Sequence, residues 1–398
     1  MLKQELLLEA MELCEIKDSR TEKEFLEVAR VIYKNDANWV CPLDQDIRNV
    51  FNPAKNNFYK HGEAIRWLLK SKTGLLLGRI AAFVDFNSAN DSDQPTGGCG
   101  FFECINDQQA SAILFDATKA WLQTKGMQAM DGPINFGERD KYWGLLVEGF
   151  SQPAYEVPYN PPYYQQLFES YGFQVYFRQE GFHFDLSKPI PARFWKIAEW
   201  VAKKPGYRFA HISFKEIDKY ILDFTKVFNE AWKDFKEDFE PLQPAYVRNF
   251  LLNARVILEE KFIWFAYYNE EPIAIYLMIP DVNLIFKKFH GRLTRWNKLR
   301  LLYAVNTKKL TRAKGILMGV IPKFQGLGIE SAFIYQLSTV FKEMPHYKQL
   351  EFSWVGDFNP QMRKLWTSVG AEPAKQYITY RFLFDRAAIF TRYPIPEK

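Results

Sequence analysis

Two segments, half the chain apart, follow one sequence plan. Each begins with Asn-Pro, continues for a few helical turns and ends at a glycine, over 160–172 and 359–370. Proline is favoured at the first helical position and glycine just after the last, so each segment is expected to form a short helix. The asparagines lie 199 positions apart (359 − 160) and the glycines 198 (370 − 172), in a chain of 398 residues. The pattern predicts a duplicated fold; the alternative is a coincidence of common helix-ending residues.

The elements before these segments repeat in the same order. Each half is expected to open with a short strand and an amphipathic helix, followed by a two-stranded meander and by a strand that leads into a long helix. The first half has helix 22–33, strands 65–69 and 75–84, and helix 108–125; the second has helix 216–232, strands 262–268 and 272–279, and helix 328–342. Prolines mark the join between the halves. This predicts a first domain of 1–187, a linker helix within 188–206 and a second domain of 207–398.

The most specific chemical signal lies in the second half. A strand at 316–321 runs into a turn that contains Gly326 and Gly328, and then into a helix. Glycines let backbone N–H groups face a bound anion without a side chain in the way, and the helix adds the positive end of its dipole. The turn suits a phosphate or pyrophosphate, with an ordinary strand–turn–helix as the alternative. It is neither a P-loop nor a complete dinucleotide-binding fingerprint.

The pattern Val-x-Pro-x-x-Gln-Gly-x-Gly in this turn closely resembles the acyl-CoA pyrophosphate loop of the GNAT (GCN5-related N-acetyltransferase) superfamily. The resemblance covers most of the second half, and the first half resembles a degenerate copy. It implies an α/β (α+β) fold of two tandem GNAT-like domains, each a mixed, mostly antiparallel sheet flanked by helices. It also implies acetyl-CoA or another acyl-CoA as the cofactor. The residues implied to bind it are Val320, Ile321, Gln325, Gly326, Leu327, Gly328, Ile329 and Asn359.

Two positions depart from the family pattern. Glu330 stands where the loop usually ends in Gly or Ala, and its charge would repel a pyrophosphate unless it turns away or pairs with a base. Trp366 stands where many members carry a tyrosine that protonates the departing thiolate, and Phe168 stands there in the first half. A general acid must then come from elsewhere, and Tyr377 and Tyr380 are the candidates.

The matching turn of the first half contains no glycine. Asp107 stands where an anion would lie, and an aspartate there is expected to cap the following helix itself. The first half is therefore expected to have lost any phosphate site and to serve as structure or as one wall of the substrate cleft.

A basic insertion separates the third and fourth strands of the second half. Residues 287–314 contain ten Lys or Arg and no Asp or Glu, so the rest of the chain carries +5 − 10 = −5. Trp296 and Tyr303 are interleaved with these cations. The insertion is either a solvated basic helix or the site of an acidic or polyanionic partner, such as an acidic substrate, tRNA or anionic lipid. Asp281, just before it, is the candidate general base.

Other sequence features exclude several protein classes. No uncharged apolar run reaches about 18 residues, so no transmembrane helix is expected. The N-terminus lacks the features of a signal peptide, and a cytoplasmic location is expected. The four cysteines and five histidines match no metal-ligand spacing, so no metal site is expected.

Together these features predict an enzyme, an N-acetyltransferase or N-acyltransferase that moves an acyl group from acyl-CoA to the amine of a small molecule or peptide. Two alternatives stay open. One is an aminoacyl-tRNA-dependent transferase, a class that also pairs two GNAT-like domains, with the basic insertion holding tRNA. The other is a non-catalytic protein that binds CoA or a polyanion, which Glu330 and Trp366 would suit.

Overall fold

The computed structural model describes residues 11–90, 94–137, 141–233 and 241–395. The first half alternates strands and helices as its pattern predicts. Its elements are β1 (Met11–Glu15), α1 (Ser19–Ile32), α2 (Asp44–Val50), β2 (Gly62–Ser71), β3 (Leu76–Asp85), β4 (Thr96–Cys104), α3 (Gln108–Thr124), β5 (Ala129–Gly132), β6 (Leu145–Glu148), α4 (Tyr164–Tyr171) and β7 (Gln174–Asp185).

The second half repeats this order with additions. A connecting helix, α5, precedes it, a short helix, α8, comes just before the basic insertion, and the insertion contributes α9. The elements are α5 (Ala192–Ala202), β8 (Tyr207–His211), α6 (Ile217–Trp232), α7 (Pro244–Ala254), β9 (Ile263–Tyr268), β10 (Glu271–Pro280), α8 (Asn283–Phe286), α9 (Arg295–Asn306), β11 (Arg312–Val320), α10 (Ile329–Glu343), β12 (Gln349–Glu351), β13 (Val355–Gly356), α11 (Pro360–Val369) and β14 (Glu372–Leu383).

All strands join one mixed, mostly antiparallel sheet, in which the two halves exchange their last strands. The order along the sheet is β1-β2-β3-β4-β5-β14-β7-β12-β11-β10-β9-β8, with β6 beside β14 and β13 beside β7. The last strand of the second half, β14, pairs with β5 of the first. The last strand of the first half, β7, pairs with β12 of the second. The two exchanged strands pair with each other at the centre, with Ile378 opposite Arg178.

Each hydrophobic core therefore contains side chains from the other half. Phe182 and Phe184 of β7 lie in the core of the second half. Ile378, Tyr380 and Phe382 of β14 lie in the core of the first. The connecting helix α5 packs along α10 of the second half. The domain limits of 1–187, 188–206 and 207–398 remain a prediction.

The two Asn-Pro segments differ in detail. In the second half the Asn359 side chain accepts the Met362 amide at 3.2 Å and caps α11. In the first half α4 begins only at Tyr164, and Asn160 is buried, with its side chain bonded to both main-chain groups of Leu146. Two consecutive prolines after Asn160 delay the helix, so its amide is used to hold β6. No helix among the described residues is both long and apolar enough to cross a membrane.

Candidate active site

Neighbouring strands of the second half part several residues before the glycine turn begins. Strand β11 pairs with the parallel strand β12 over only three residues, ending where Lys314 faces Glu351. Beyond Lys314 it continues along β10 alone, and Ile316 forms a bulge between the pairs Leu277–Leu317 and Met278–Gly315. A bulge turns the backbone locally and frees peptide groups from the ladder. The free edge of β11 can therefore hydrogen-bond to an extended ligand.

A small cavity of about 20 Å³ lies in this opening. Lys314, Ile316 and Glu351 line it from the parted strands, and Tyr377 lines it from β14. The Tyr377 hydroxyl is buried and has no hydrogen-bond partner among the described residues. Burial and the charge of Glu351 raise the pKa of Tyr377, so this hydroxyl stays protonated at neutral pH. It is a buried proton donor, without an acceptor among the described residues, that lines the opening between the parted strands.

The glycine turn has the backbone geometry that an anion-binding loop needs. Gly326 and Gly328 have φ values of 71° and 83°, in the left-handed region that favours glycine. Gly328 is the N-cap of α10. The amides from Gly326 to Gly328 donate no hydrogen bond to the described residues. The Gln325 side chain folds back onto the Val320 carbonyl at 3.0 Å and braces the turn.

The two glycines differ in their surroundings. A Cβ at Gly326 would meet no atom within 4 Å, so the turn is open there. A Cβ at Gly328 would lie 3.0 Å from a Val201 methyl group on α5. Leu327 is 49% exposed, whereas Val320, Ile321 and Ile329 are buried core residues. A ligand on this turn would thus be held by main-chain groups, with the buried aliphatic residues fixing the backbone.

Glu330 lies in the first turn of α10 and is partly buried. Burial raises the pKa of its carboxyl, and a hydrogen bond from its own backbone amide acts in the opposite direction. The carboxylate thus uses one of the amides that point out of the helix N-terminus. Asn359 likewise uses its side-chain oxygen to cap α11 and is exposed.

The two tyrosine candidates face opposite sides of the sheet. Tyr377 lines the cavity between the parted strands. The Tyr380 side chain lies in the core of the first half, where its hydroxyl donates to Glu169 at 2.8 Å. Trp366, at the family's tyrosine position, is buried and stacks on Phe352 with ring centroids 3.9 Å apart. These contacts favour Tyr377 over Tyr380 as the general acid.

Asp281 is fully buried and its oxygens are already bonded. It pairs with the Arg312 guanidinium at 2.6 Å. It also accepts the backbone amides of Tyr155, at 2.8 Å, and Asn283, at 3.1 Å. Burial raises the pKa of this carboxyl, and the charge of Arg312 opposes that effect. These contacts suit a residue that holds the loop containing Tyr155 in position. They suit a general base less well, because both carboxylate oxygens are already bonded.

Sequence reasoning missed a buried set of charges beside the cavity. Lys375 donates to Glu351 at 2.9 Å, and Arg312 lies 3.6 Å from the same carboxylate. Lys314 donates to the Tyr155 carbonyl at 2.6 Å. These residues come from three strands and one loop, far apart in the chain. The apolar run that follows Lys314 could have indicated that this cation is buried, but no such run surrounds Lys375.

In the first half Asp107 caps α3, as its position predicts, by accepting the Ala110 amide at 2.7 Å. The helix N-terminus that would face an anion is therefore satisfied by the protein. Among the described residues no group of three or more His, Cys, Asp or Glu could hold a metal ion.

Two curated proteins resemble the chain over most of its length. The first, named bacterial ceramide synthase, from Caulobacter vibrioides (strain NA1000 / CB15N), is 25% identical over 370 residues, covering 90% of this chain and 94% of that protein. The second, named Protein YghO, from Escherichia coli (strain K12), is 26% identical over 369 residues, covering 90% and 92%. No protein-family model matches the chain.

Solved structures share its architecture at lower identity. A tandem GNAT protein from the clavulanic acid biosynthesis pathway superposes with a TM-score of 0.55 and 11% identity, over 95% of this chain and 100% of that one. This likeness confirms the predicted fold of two tandem units.

If the turn binds the pyrophosphate of CoA, a negative charge at Gly326 should prevent binding. Aspartate tolerates positive φ better than most residues, and a Cβ at this position meets nothing within 4 Å. Gly326→Asp is therefore expected to fold normally and to weaken CoA binding at least about tenfold, measured by calorimetry. The matched control is Gly74→Asp, at φ 83° and equally open. Equal CoA affinity in the two variants would refute the assignment of the turn.

Glu330 should make CoA binding depend on pH. Because burial raises its pKa, the carboxyl takes up a proton at higher pH than a free glutamate as the pH falls. Protonation removes a negative charge beside the pyrophosphate, so binding should tighten, by roughly 1 kcal/mol, as the pH falls from neutral towards the range in which glutamate titrates. The Glu330→Gln variant has no carboxyl to protonate here, so the pH dependence of its CoA affinity reflects the titration of CoA itself. Identical pH profiles in the two proteins would mean that Glu330 is turned away from the ligand.

Proposed function

We propose that this chain, which has the tandem GNAT fold, transfers an acyl group from acyl-CoA to the amine of a long-chain amino alcohol. The parting of β11 from β12 supports this proposal most strongly. The free edge of β11 runs from the cavity that Ile316 and Tyr377 line to the glycine turn at the N-terminus of α10. That arrangement suits a long ligand with an anionic end and a reactive thioester.

The donor is proposed to lie along this opening. The amides of the turn and the dipole of α10 would face the pyrophosphate. The free edge of β11 would hydrogen-bond to the pantetheine arm and polarise the thioester carbonyl near the bulge at Ile316. Most of the rate enhancement would come from holding amine and thioester together. Tyr377 would protonate the departing thiolate, since its raised pKa keeps it protonated.

The acceptor class is proposed from two independent indications. One relative is named a bacterial ceramide synthase, and a ceramide is an amide of a long-chain amino alcohol. The second indication is the surface of the basic insertion. Helix α9 buries Asn297, Leu301 and Ala304 and exposes an opposite stripe of Trp296, Leu299 and Tyr303, which are 76%, 56% and 59% exposed.

Cations flank this apolar stripe. Arg295, Lys298 and Arg300 have no acidic partner among the described residues. Exposed aromatic and leucine side chains beside Lys and Arg could insert between the head groups of an anionic membrane while the cations contact those head groups. An RNA-binding face would need the cations without the exposed leucines, so of the polyanionic partners an anionic lipid surface is the one proposed.

The transfer itself is tested by amine-dependent release of CoA. Incubation with a long-chain acyl-CoA and a long-chain amino alcohol should release free thiol and form an amide that mass spectrometry identifies. Tyr377→Phe should lower kcat about 100-fold and leave CoA affinity unchanged. Tyr380→Phe is the matched control, because it removes a hydroxyl bonded to Glu169 in the core of the first half. CoA binding with no amide from any amine would favour a non-catalytic binding protein.

The lipid surface is tested by sedimentation with vesicles. The full chain should bind vesicles that contain about one third phosphatidylserine, more weakly as salt increases. Changing Trp296 and Leu299 to Ala should reduce the bound fraction several-fold. Trp200→Ala removes an equally prominent tryptophan, 64% exposed on α5, and should have no effect. Binding to RNA in place of vesicles would favour the tRNA-dependent alternative.

A further inference from the structure

The first half contains a second and larger cavity, which the donor site does not use. It lies where β4 parts from β5, whose pairing ends at Gly98 and Asp131. Its volume is about 120 Å³, and it reaches the second half at Asn283 and Phe286. Ligand sites for drug-sized molecules are several hundred Å³. The space therefore suits a small head group and is too small for CoA.

A buried arginine and carboxylate form part of its lining. Arg79 is 2% exposed, and its guanidinium donates to the Phe25 carbonyl at 2.7 Å and contacts Glu103 at 3.4 Å. Its Nε is buried and has no hydrogen-bond partner among the described residues. A buried donor without an acceptor is costly. An oxygen atom of a ligand in the cavity would satisfy it.

Glu103 is held in place by a tyrosine. The Tyr164 hydroxyl accepts the Cys104 amide at 2.9 Å and donates to Glu103 at 2.8 Å. Burial raises the pKa of Glu103 although Arg79 is close. The single Arg79 contact, at 3.4 Å, is long for a charged pair. Tyr33 is also close to this carboxylate, so a ligand ammonium would join the contacts made by the two tyrosines and Arg79.

The cavity as a whole has more acids than bases. Asp46 and Glu156 also line it, and among the described residues Arg79 is the one basic residue in its lining. Asp46 accepts the Tyr155 hydroxyl at 3.1 Å, and Glu156 lies 3.8 Å from Lys141 at the rim. Aromatic rings make up much of the wall, including the stacked pair Tyr33 and Trp39, with centroids 4.6 Å apart. Carboxylates together with aromatic faces favour an organic ammonium group.

One loop separates this cavity from the donor opening. Glu156 and Val157 line both. The preceding residue, Tyr155, is held through its backbone by Asp281 and Lys314 of the second half. Glu156 itself has φ 61°, an unfavourable backbone conformation for glutamate that these contacts maintain. The second half thus fixes the wall between the two cavities.

We propose that the cavity of the first half binds the amino-alcohol head group of the acceptor. The ammonium is received by Glu103 and Asp46, and the neighbouring oxygen accepts from the Nε of Arg79. The assignment of this ligand as the acceptor rests on the proposed function. The half that lacks a phosphate-binding turn then contributes the acceptor site, beside the donor site of the other half.

The probe is 2-amino-1-hexanol, titrated calorimetrically into the full chain. Hexylamine lacks the oxygen, 1-hexanol lacks the amine, and hexanoate has the opposite charge. The amino alcohol should bind at least about tenfold more tightly than 1-hexanol or hexanoate. The affinity of hexylamine should lie between that of the amino alcohol and those of 1-hexanol and hexanoate. Saturating CoA should not compete. Tighter binding of hexanoate than of the amino alcohol, or binding of none of the four compounds, would overturn the proposal.

Variants locate the binding. Glu103→Gln and Asp46→Asn, made separately, should each weaken the amino alcohol about tenfold and leave CoA affinity unchanged. Glu169→Gln is the matched control, since Glu169 also accepts a buried tyrosine hydroxyl at 2.8 Å but lies outside the cavity. If all three variants bind the amino alcohol with equal affinity, the proposed site is wrong even if the protein transfers acyl groups. Cavity-dependent binding without acyl transfer would refute the proposed function and leave the amine site standing.

Discussion

The antiparallel pairing of β7 with β14 is the interaction on which both cavities depend. Each strand completes the sheet of the opposite half, so neither half has a full core without the other. The exchange also decides which side chains reach which opening. It carries Tyr377 to the parted strands of the second half and Tyr380 into the core of the first. The position of a candidate general acid thus follows from strand pairing between the two halves.

Buried charges connect the exchanged strands to the loop between the cavities. Removing charged groups from water is unfavourable unless each is paired and hydrogen-bonded. Here Glu351 lies between Lys375 and Arg312, and Arg312 also pairs with Asp281. Burial raises the pKa of Glu351, but the two cations outweigh it and the pKa is lowered. Because Asp281 and Lys314 then bind the backbone at Tyr155, the network fixes the loop that bounds both cavities.

Local patterns in the sequence predicted what is local in the fold. The glycine turn, the short helix after Asn359, the cap at Asp107 and the helix of the insertion all depend on neighbouring residues, and the structure places each where its pattern does. The strand exchange could not be predicted this way. A strand such as β14 has the same alternation of buried side chains whichever sheet it joins.

The site residues divide in the same manner. The residues of the glycine turn were proposed as a binding site because their spacing is a motif. The pairing of Arg79 with Glu103, and of Asp281 with Arg312, joins residues on neighbouring strands whose register no local pattern specifies. For that reason the sequence indicated that the first half had lost its phosphate site, but not that a polar cavity remains there.

The exchanged strands also constrain how the chain acquires its structure during synthesis. The first half leaves the ribosome with one edge of β5 unpaired, because its partner β14 is the last of the described strands to be translated. Unpaired strand edges are prone to intermolecular association. The first half therefore lacks this strand until about 200 further residues have been translated, which takes roughly ten to forty seconds at typical translation rates. A chaperone that binds exposed strand edges would protect the first half from association during this interval.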